Sequence, residues 1–544
     1  RGLGDVYKRQ VEGEALEAPP EDLIKALEIA HNYISKLCVE ISKFSVIFNK
    51  PKRALPPPSL PQEICTELQD RVFNNTYKVC TLNIKKKKER RKMLTEAIEN
   101  PLNEIKEKYQ HLWKPEWEGE CKQLARKAQK EAIRKYVFEN NRRIDGRGFE
   151  EIRELKAEVG IFSGAHGSAF FQRGETQVVA SVVLGSQSED MQIVDEVTES
   201  SKKKYMLHYN FPPYSVGEIK PLRAPTRREI GHSYLALRGI KAILPPEHVT
   251  ENEEEYPFVI RMLADVIESN GSSSMATVCA TSLALMDCGV PVKGHVAGIA
   301  MGLLYDKSTG KYTVITDILG DEDQLGDMDF KLCGTRKGIT ACQMDIKMDF
   351  IDFDILQTAI NQARKAHNYI LDFMYKIIPE PRKELRPNVP RILSFKIPKD
   401  MIGLVIGTGG KIIKTISETT GTSIQIIPKE DYGIVEIIGT DSTQMEKAQK
   451  MVQSIISLPK VGDIFIGQVK TITPYGAFVE IAPGRVGLLH ISEIANKYIQ
   501  SITDELKEGE YIEVKVIEVD ERTGRFKLSR KALEENLKAR HPSR

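Results

Sequence analysis

Six carboxylates crowd into the stretch Thr316 to Lys331: Asp317, Asp321, Glu322, Asp323, Asp327 and Asp329. Like charges at that density repel unless each is solvated, paired with a cation or bound to a hard metal ion such as Mg2+. Whatever this chain folds into must therefore supply that stretch with water, basic groups or metal. About 45 residues upstream, Glu268 to Val278 reads ESNGSSSMATV, a glycine and three consecutive serines opening an apolar run. Such a start sets a helix N-terminus, with its free N–H groups and neighbouring hydroxyls, where an anion can dock. Ser272, Ser273 and Ser274 form a phosphate cradle on this reading, whereas an ordinary helix cap needs one serine. For the acidic stretch the blander alternative is a surface loop. A calcium loop fails, because Leu325 and Leu332 stand where the fifth and twelfth ligands of an EF-hand belong. A phosphate site beside a metal site points to phosphoryl transfer.

At 544 residues the chain is expected to hold several cores. Five prolines between Pro51 and Pro61 exclude a helix interior and mark a linker. From Gln62 to about Asn140 apolar residues such as Ile64, Leu68 and Val72 recur at helical spacing, which predicts a small all-helical domain. Its basic run, Lys85 to Lys92 broken by Glu89, is read as a solvated helix face ahead of RNA contact. Beyond Arg143–Arg147 the composition changes. Gly167 to Gly185 is β-branched and aromatic on either side of Arg173-Gly174-Glu175, a hairpin signal. Strands around His295–Leu304 and Lys311–Asp317 alternate with helices at Ser272–Met286 and Phe353–Lys376, giving a mixed α/β domain. Two small modules follow. In Met401 to Ile426 the loop Gly407-Thr408-Gly409-Gly410 joins two short helices, which is the G-x-x-G loop of a KH module. Gly462 to Ile494 carries short strands, glycine turns and exposed-type aromatics, like an S1-type OB barrel. Net charge is only +2, so nucleic-acid binding must rest on local patches. Eight cysteines without a C-x-x-C pair argue against a zinc site and a disulfide framework. The most apolar stretch, Met275 to Leu304, is interrupted by Asp287, Pro291, Lys293 and His295, which predicts no membrane span.

These segments, together with HYNFPPYSVGE (His208–Glu218), RREIGH (Arg227–His232) and ALMDCGVPVKGHVAGIAMGL (Ala284–Leu303), resemble the second catalytic core of the polyribonucleotide nucleotidyltransferase family. The resemblance covers nearly the whole chain. It implies a multidomain α/β fold: an RNase PH-like α/β core preceded by an all-α domain and followed by an α/β KH module and an S1-type OB-fold β-barrel. The implied boundaries are 1–50 for the end of a first RNase PH-like core, with 1–10 foreign to it, 51–140 for the helical domain and 141–387 for the catalytic core. The KH module is then 388–456, the S1 module 459–533 and a tail 534–544. Phosphate would be held by Ser272–Ser274 with Arg227 and Arg228, whose paired guanidiniums suit bidentate contacts. Asp323, Asp329 and Lys331 match the family's catalytic set, with Asp323 and Asp329 as ligands of Mg2+, for which Mn2+ can substitute. RNA contacts would come from His232, from Gly407, Thr408, Gly409 and Gly410, and from Tyr475, Phe478 and His490 with Asp520 and Arg525 beside them. Thr408 stands where a basic residue is common and Tyr475 where a phenylalanine is.

The reaction implied is phosphorolysis of single-stranded RNA 3′ ends, releasing nucleoside 5′-diphosphates and running backwards as polymerisation, in RNA degradation. The expected setting is a bacterial cytoplasm, in a homotrimer with protein partners of an RNA-degrading complex and no membrane. The rival from another class is an RNA-binding fragment or scaffold, catalytically impaired because the first core is missing. A hydrolytic 3′ exonuclease would need a positioned water and more independent carboxylates in place of the serines.

Overall fold

The structure, a computed structural model, describes residues 9–48, 60–186, 191–195, 200–222, 224–247, 256–306, 309–348, 351–456, 460–482, 485–495, 502–520 and 525–533. The proline linker from 51 to 59, the first eight residues and the expected tail lie outside them. Two compact units divide at Asn388/Val389.

The first unit opens with β1 (Arg9–Ala18) and α1 (Pro20–Phe48), then the helical domain: α2 (Gln62–Thr81), α3 (Lys87–Lys108) and α4 (Trp117–Asn140). Ile64, Leu68 and Val72 line one face of α2 and pack with Ile105, Trp117, Cys121 and Ala125, as their spacing predicts. The basic run of α3 is not uniformly solvated. Lys85, Lys86, Lys88, Arg91 and Lys92 are exposed, but Arg90 is fully buried and donates to Asp321 at 3.0 Å, and Lys87 donates to the carbonyl of Ser269.

The rest of the first unit holds two five-stranded sheets among the described residues. One runs β2 (Leu155–Val159), β3 (Gly167–Arg173), β4 (Thr176–Ser186), β8 (Phe258–Glu268) and β7 (Tyr205–Asn210), with a separate ribbon of β5 (Gln192–Asp195) and β6 (Ser200–Lys203). The other runs β1, β12 (Ile339–Ile346), β11 (Met328–Gly334), β9 (Ala297–Tyr305) and β10 (Tyr312–Thr316). Between them lies α6 (Ser273–Cys288), small or apolar except for Asp287, which pairs with Arg382 and Arg386, and buried along its whole length. It packs on β3, β4 and β9, so the residue that starts it is fixed from both sheets. Helix α5 (Arg227–Lys241) flanks β7 and β12, and α8 (Phe353–Ile377) covers β9 and β10. Helix α7 (Gly320–Leu325) is one short turn joining β10 to β11.

Strand β1 is an edge strand of this second sheet, although its sequence reads as the end of another core. Gln10 faces Asp345 and Glu12 faces Gln343, so the β1–β12 register is symmetric about Val11–Met344. The helices that follow the two strands share the pentapeptide Ala-His-Asn-Tyr-Ile, at 30–34 in α1 and 366–370 in α8. In α8 that face is buried and His367 donates Nε2–H to the carbonyl of Leu332; in α1 Ile34 is 54% exposed.

In the second unit β13 (Arg391–Pro398), α9 (Ile402–Ile406), α10 (Lys411–Thr420), β14 (Ser423–Pro428), β15 (Tyr432–Gly439) and α11 (Ser442–Ile456) make a three-stranded sheet, order β13-β15-β14, under three helices. A closed barrel follows: β16 (Ile464–Thr473), β17 (Gly476–Ala482), β18 (Arg485–His490), β20 (Arg525–Ser529) and β19 (Tyr511–Asp520) in that spatial order.

Asp317, at the end of β10, is wholly buried and takes φ +54°. Its carboxylate accepts from Arg153 at 2.6 and 2.8 Å and pairs with Arg173 at 2.9 Å and Arg147 at 3.4 Å. Burial opposes its ionisation, but the guanidiniums outweigh that and hold the carboxyl far below the usual carboxylate range. A depressed folded pKa gives stability that is complete above the unfolded value, about 4, and is lost as the pH falls below it. Asp317→Asn should therefore destabilise the first unit by about 3–5 kcal/mol at pH 7. The gap from wild type should narrow in urea melts taken below pH 4.

Candidate active site

The serine segment starts α6 in an uncommon way. Ser272 sits at φ +46°, ψ +53° and its side chain makes no capping hydrogen bond, so the ordinary N-cap reading does not describe it. Ser273 exchanges a 2.7 Å hydrogen bond with the hydroxyl of Tyr209, whereas the hydroxyls of Ser272 and Ser274 are buried with no partner among the described residues. Buried polar atoms are ordinarily satisfied. Two orphaned hydroxyls at the first turn of a helix, beside N–H groups that have no intrahelical acceptor, suit an anion. Gly271 explains how this loop meets the acidic one. With φ +93°, it lies where an added Cβ would fall 2.5 Å from the carbonyl oxygen of Ile318 and 2.8 Å from the nitrogen of Gly320. From behind, Arg153 donates to the carbonyl of Asn270 at 2.6 Å and Arg173 to that of Ser272 at 3.1 Å.

The acidic stretch is no plain surface loop: Asp317, Glu322, Asp327 and Asp329 are buried and Asp321 and Asp323 half-buried, and its carboxylates divide by partner. Asp317 has its arginines; Asp321 pairs with Arg90 at 2.9 Å; Glu322 accepts from buried Arg143 at 2.8 Å; Asp327 pairs with Arg134 and accepts from the backbone N–H of Tyr305 at 2.9 Å. Asp323 and Asp329 meet only lysines among the described residues. Lys347 reaches Asp323 at 2.9 Å, and Lys331 reaches Asp329 at 3.2 Å. Among the described residues the Oδ1 of Asp329 is buried without a partner. Burial, and the charge of Asp323 nearby, push its carboxyl above the ordinary range despite Lys331. A divalent cation would relieve both effects, so the donor set fits Mg2+. Among the described residues no group of three or more His, Cys, Asp or Glu side chains converges on one point. Two carboxylates are what Mg2+ commonly takes from a protein when substrate phosphates supply the rest.

Helix α5 brings in the basic side. Thr226 and Glu229 close a capping box at its start, leaving Arg227 and Arg228 exposed on its first turn. The Arg228 guanidinium lies 5.9 Å over the Phe211 ring. His232, one turn further, stands edge-on to Tyr209 at 5.3 Å. Burial, then the charges of Lys331 and Arg228, push its pKa down to about 3, so it is a neutral hydrogen-bonding group near pH 7. The structure thus gathers Ser273, Tyr209, His232, Arg228, Lys331, Asp323 and Asp329. Among the described residues no hydrogen bond or ion pair ties Arg227 to this group. Tyr209, Lys347 and the supporting arginines stand out by no motif in the sequence. Their roles follow from pairing across strands and loops far apart in the chain, for which no local signal exists.

In the second unit Gly407, Gly409 and Gly410 take φ of +72°, +62° and +77°, and Thr408 between them is exposed. Only glycine adopts such a run without strain, and the loop presents bare backbone. On the barrel Tyr475 is 52% exposed, its ring 6.5 Å from that of half-buried Phe478. Gly476 faces exposed His490 and Phe478 faces Leu488, so Phe478 and His490 share one face of β17–β18. Asp520 faces Arg525 across β19–β20, and Arg525 is exposed. Phe465 instead packs on the barrel core.

The RNase PH model, described as 3′ exoribonuclease family, domain 1, matches residues 151–291; a KH domain matches 392–454 and an S1 RNA binding domain 458–531. The polyribonucleotide nucleotidyltransferase of Cytophaga hutchinsonii is 43% identical over 96% of this chain and 71% of its own length. Those of Azobacteroides pseudotrichonymphae and Bacteroides fragilis are also 43% identical, covering 71% and 72% of their lengths. The chain belongs to the polyribonucleotide nucleotidyltransferase family. It is a nucleotidyltransferase whose core is that of a phosphorolytic exoribonuclease. A crystal structure of rice (Oryza sativa) Rrp46 is 20% identical, with TM-score 0.32 over 43% of this chain and 98% of that one. No described helix is long and apolar enough to cross a membrane.

Because the Ser272 and Ser274 hydroxyls have no partner to lose, Ser272→Ala/Ser274→Ala should leave the melting temperature in phosphate-free buffer unchanged or slightly raised. Inorganic phosphate should raise the melting temperature of wild type by linkage and leave the double variant unmoved. Differential scanning calorimetry across a phosphate series reads both.

Proposed function

We propose that this chain degrades RNA from the 3′ end by phosphorolysis, releasing nucleoside 5′-diphosphates and reversing as polymerisation at high diphosphate. The observation that carries this is the presence in one unit of two serine hydroxyls and two carboxylates that, among the described residues, have no partner and no arginine respectively. Inorganic phosphate at Ser272–Ser274 attacks the phosphorus of the terminal phosphodiester. The bond to the 3′ oxygen of the penultimate nucleotide breaks, that oxygen takes a proton, and the new P–O bond makes the diphosphate. Arg228 and Arg227 hold phosphate oxygens, His232 donates a hydrogen bond while neutral, and Lys331 meets developing negative charge. Asp323 and Asp329 would hold Mg2+ or Mn2+, which when bound supplies charge neutralisation at the scissile phosphate. The bonds broken and made are alike, which supports reversibility.

Tyr475, Phe478 and His490 offer a stacking face without base selection, and the glycine loop of 407–410 an approach for RNA backbone; Asp520 and Arg525 flank the barrel face. The rival reading, an RNA-binding scaffold without catalysis, is not favoured, since every member of the expected catalytic set is present. A homotrimer, as is typical of the family, partners in an RNA-degrading complex and a bacterial cytoplasm complete the proposal; the relatives that support it are bacterial.

Incubating the chain with Mg2+ and 3′-labelled RNA should release nucleoside diphosphate only when phosphate is present, and Asp329→Asn should abolish it. Monophosphate release without phosphate would make the protein a hydrolase. Phe478→Ala should weaken binding to single-stranded RNA by about 1–3 kcal/mol in filter binding.

A further inference from the structure

Lys331 is held from both sides. Its ammonium donates to Gln343 Oε1 at 3.0 Å and lies 3.2 Å from Asp329, so two of its three N–H bonds have protein partners. Gln343 sits directly across from Lys331 on β12, and Glu12 of β1 sits directly across from Gln343. The Gln343 amide spans the two, with Nε2 donating to Glu12 Oε1 at 3.3 Å. Its orientation is set by its neighbours, because an ammonium can only donate and a carboxylate can only accept. Glu12 is itself pinned, accepting from Gln10 at 2.5 Å and from Arg238 of α5 at 2.5 Å. Burial opposes its ionisation, but those hydrogen bonds hold its carboxyl below the ordinary range.

We infer that Gln343, oriented by Glu12, is a positioning residue that shares the Lys331 ammonium with Asp329 and so keeps Lys331 directed at the reacting phosphate. This rests on the functional reading above and deepens it. Without the amide oxygen, the ammonium would collapse onto Asp329, neutralising a metal-binding carboxylate and turning away from the substrate. The row Glu12–Gln343–Lys331 also means that the site is completed by a strand that precedes the helical domain in sequence. Arg238 ties the same row to the helix that carries Arg228 and His232.

The test is steady-state phosphorolysis by the full chain with Mg2+, phosphate and a single-stranded RNA. Gln343→Met keeps the length of the side chain and removes both amide ends. It should lower kcat by about 10–100-fold, the range a small misplacement near the chemistry costs, with KM for RNA and for phosphate within about twofold. Gln343→Glu keeps an acceptor for Lys331 but sets a carboxylate against Glu12, and should also lose kcat. Glu12→Gln/Gln343→Glu restores a donor at 12 and an acceptor at 343, and should recover at least about fivefold over Gln343→Glu, a non-additivity expected only of residues acting together. The inference is overturned if Gln343→Met keeps kcat within about twofold of wild type while Asp329→Asn is inactive, or if the two exchanges are additive. If wild type releases no diphosphate, or Asp329→Asn stays active, the functional reading falls and this inference with it.

Discussion

The buried carboxylate of Asp317 is the contact on which the catalytic unit is organised. It draws together Arg147 from the turn after the helical domain, Arg153 from the approach to β2, and Arg173 from the end of β3. A charge at zero exposure is costly unless it is paired and hydrogen-bonded, so the four groups can only be buried as a set. Once buried, their remaining donors are spent on backbone carbonyls that matter elsewhere. Arg153 fixes Asn270, Arg173 fixes Ser272 and Gly298, and Arg147 holds the carbonyl of Asp317 itself. One ion cluster thereby ties the first sheet to the second and sets the position of the serine loop between them.

That arrangement also divides the acidic stretch. Arginine, planar and permanently charged, suits a buried pair that must never release its carboxylate. Asp317, Asp321, Glu322 and Asp327 all meet arginine, whereas Asp323 and Asp329, among the described residues, meet only lysine. An ammonium on a flexible stem can yield its place to a metal ion or a substrate oxygen more readily than a bidentate guanidinium. The type of cation opposite each carboxylate therefore separates Asp323 and Asp329, the proposed metal ligands, from the other four without any appeal to the bound state.

Much of this was legible in the sequence because it is local. Ser272 to Ser274 at a helix start, the hairpin around Gly174, the spacing of Ile64, Leu68 and Val72, and the glycine loop at 407–410 each carry their signal within a few residues. What stayed hidden depends on pairing at a distance. Arg90 lies in a lysine-rich run that reads as solvated, and only the approach of Asp321, 231 residues away in sequence, explains its burial. Gln343 looks like any polar residue in a strand until Lys331 and Glu12 are found on either side of it. The pentapeptide of α1 and α8 makes the same point from the other direction. His367 is buried and hydrogen-bonded to Leu332, while His31 is exposed, so identical sequence takes opposite burial according to the surface it meets.

The register of β1 on β12 explains how a segment so far from Lys331 in sequence comes to stand in one row with it. A cross-strand neighbour is fixed by register, and a slip of one residue would turn Glu12 to the opposite face and remove it from Gln343. The hydrogen bonds of the β1–β12 ladder therefore do more than extend the sheet. They determine which side chain stands behind the amide that holds Lys331, and so make the geometry of the site depend on a pairing between strands lying on either side of the helical domain. A strand at the margin of the sheet acts on the centre of the site through one row of three side chains, Glu12, Gln343 and Lys331.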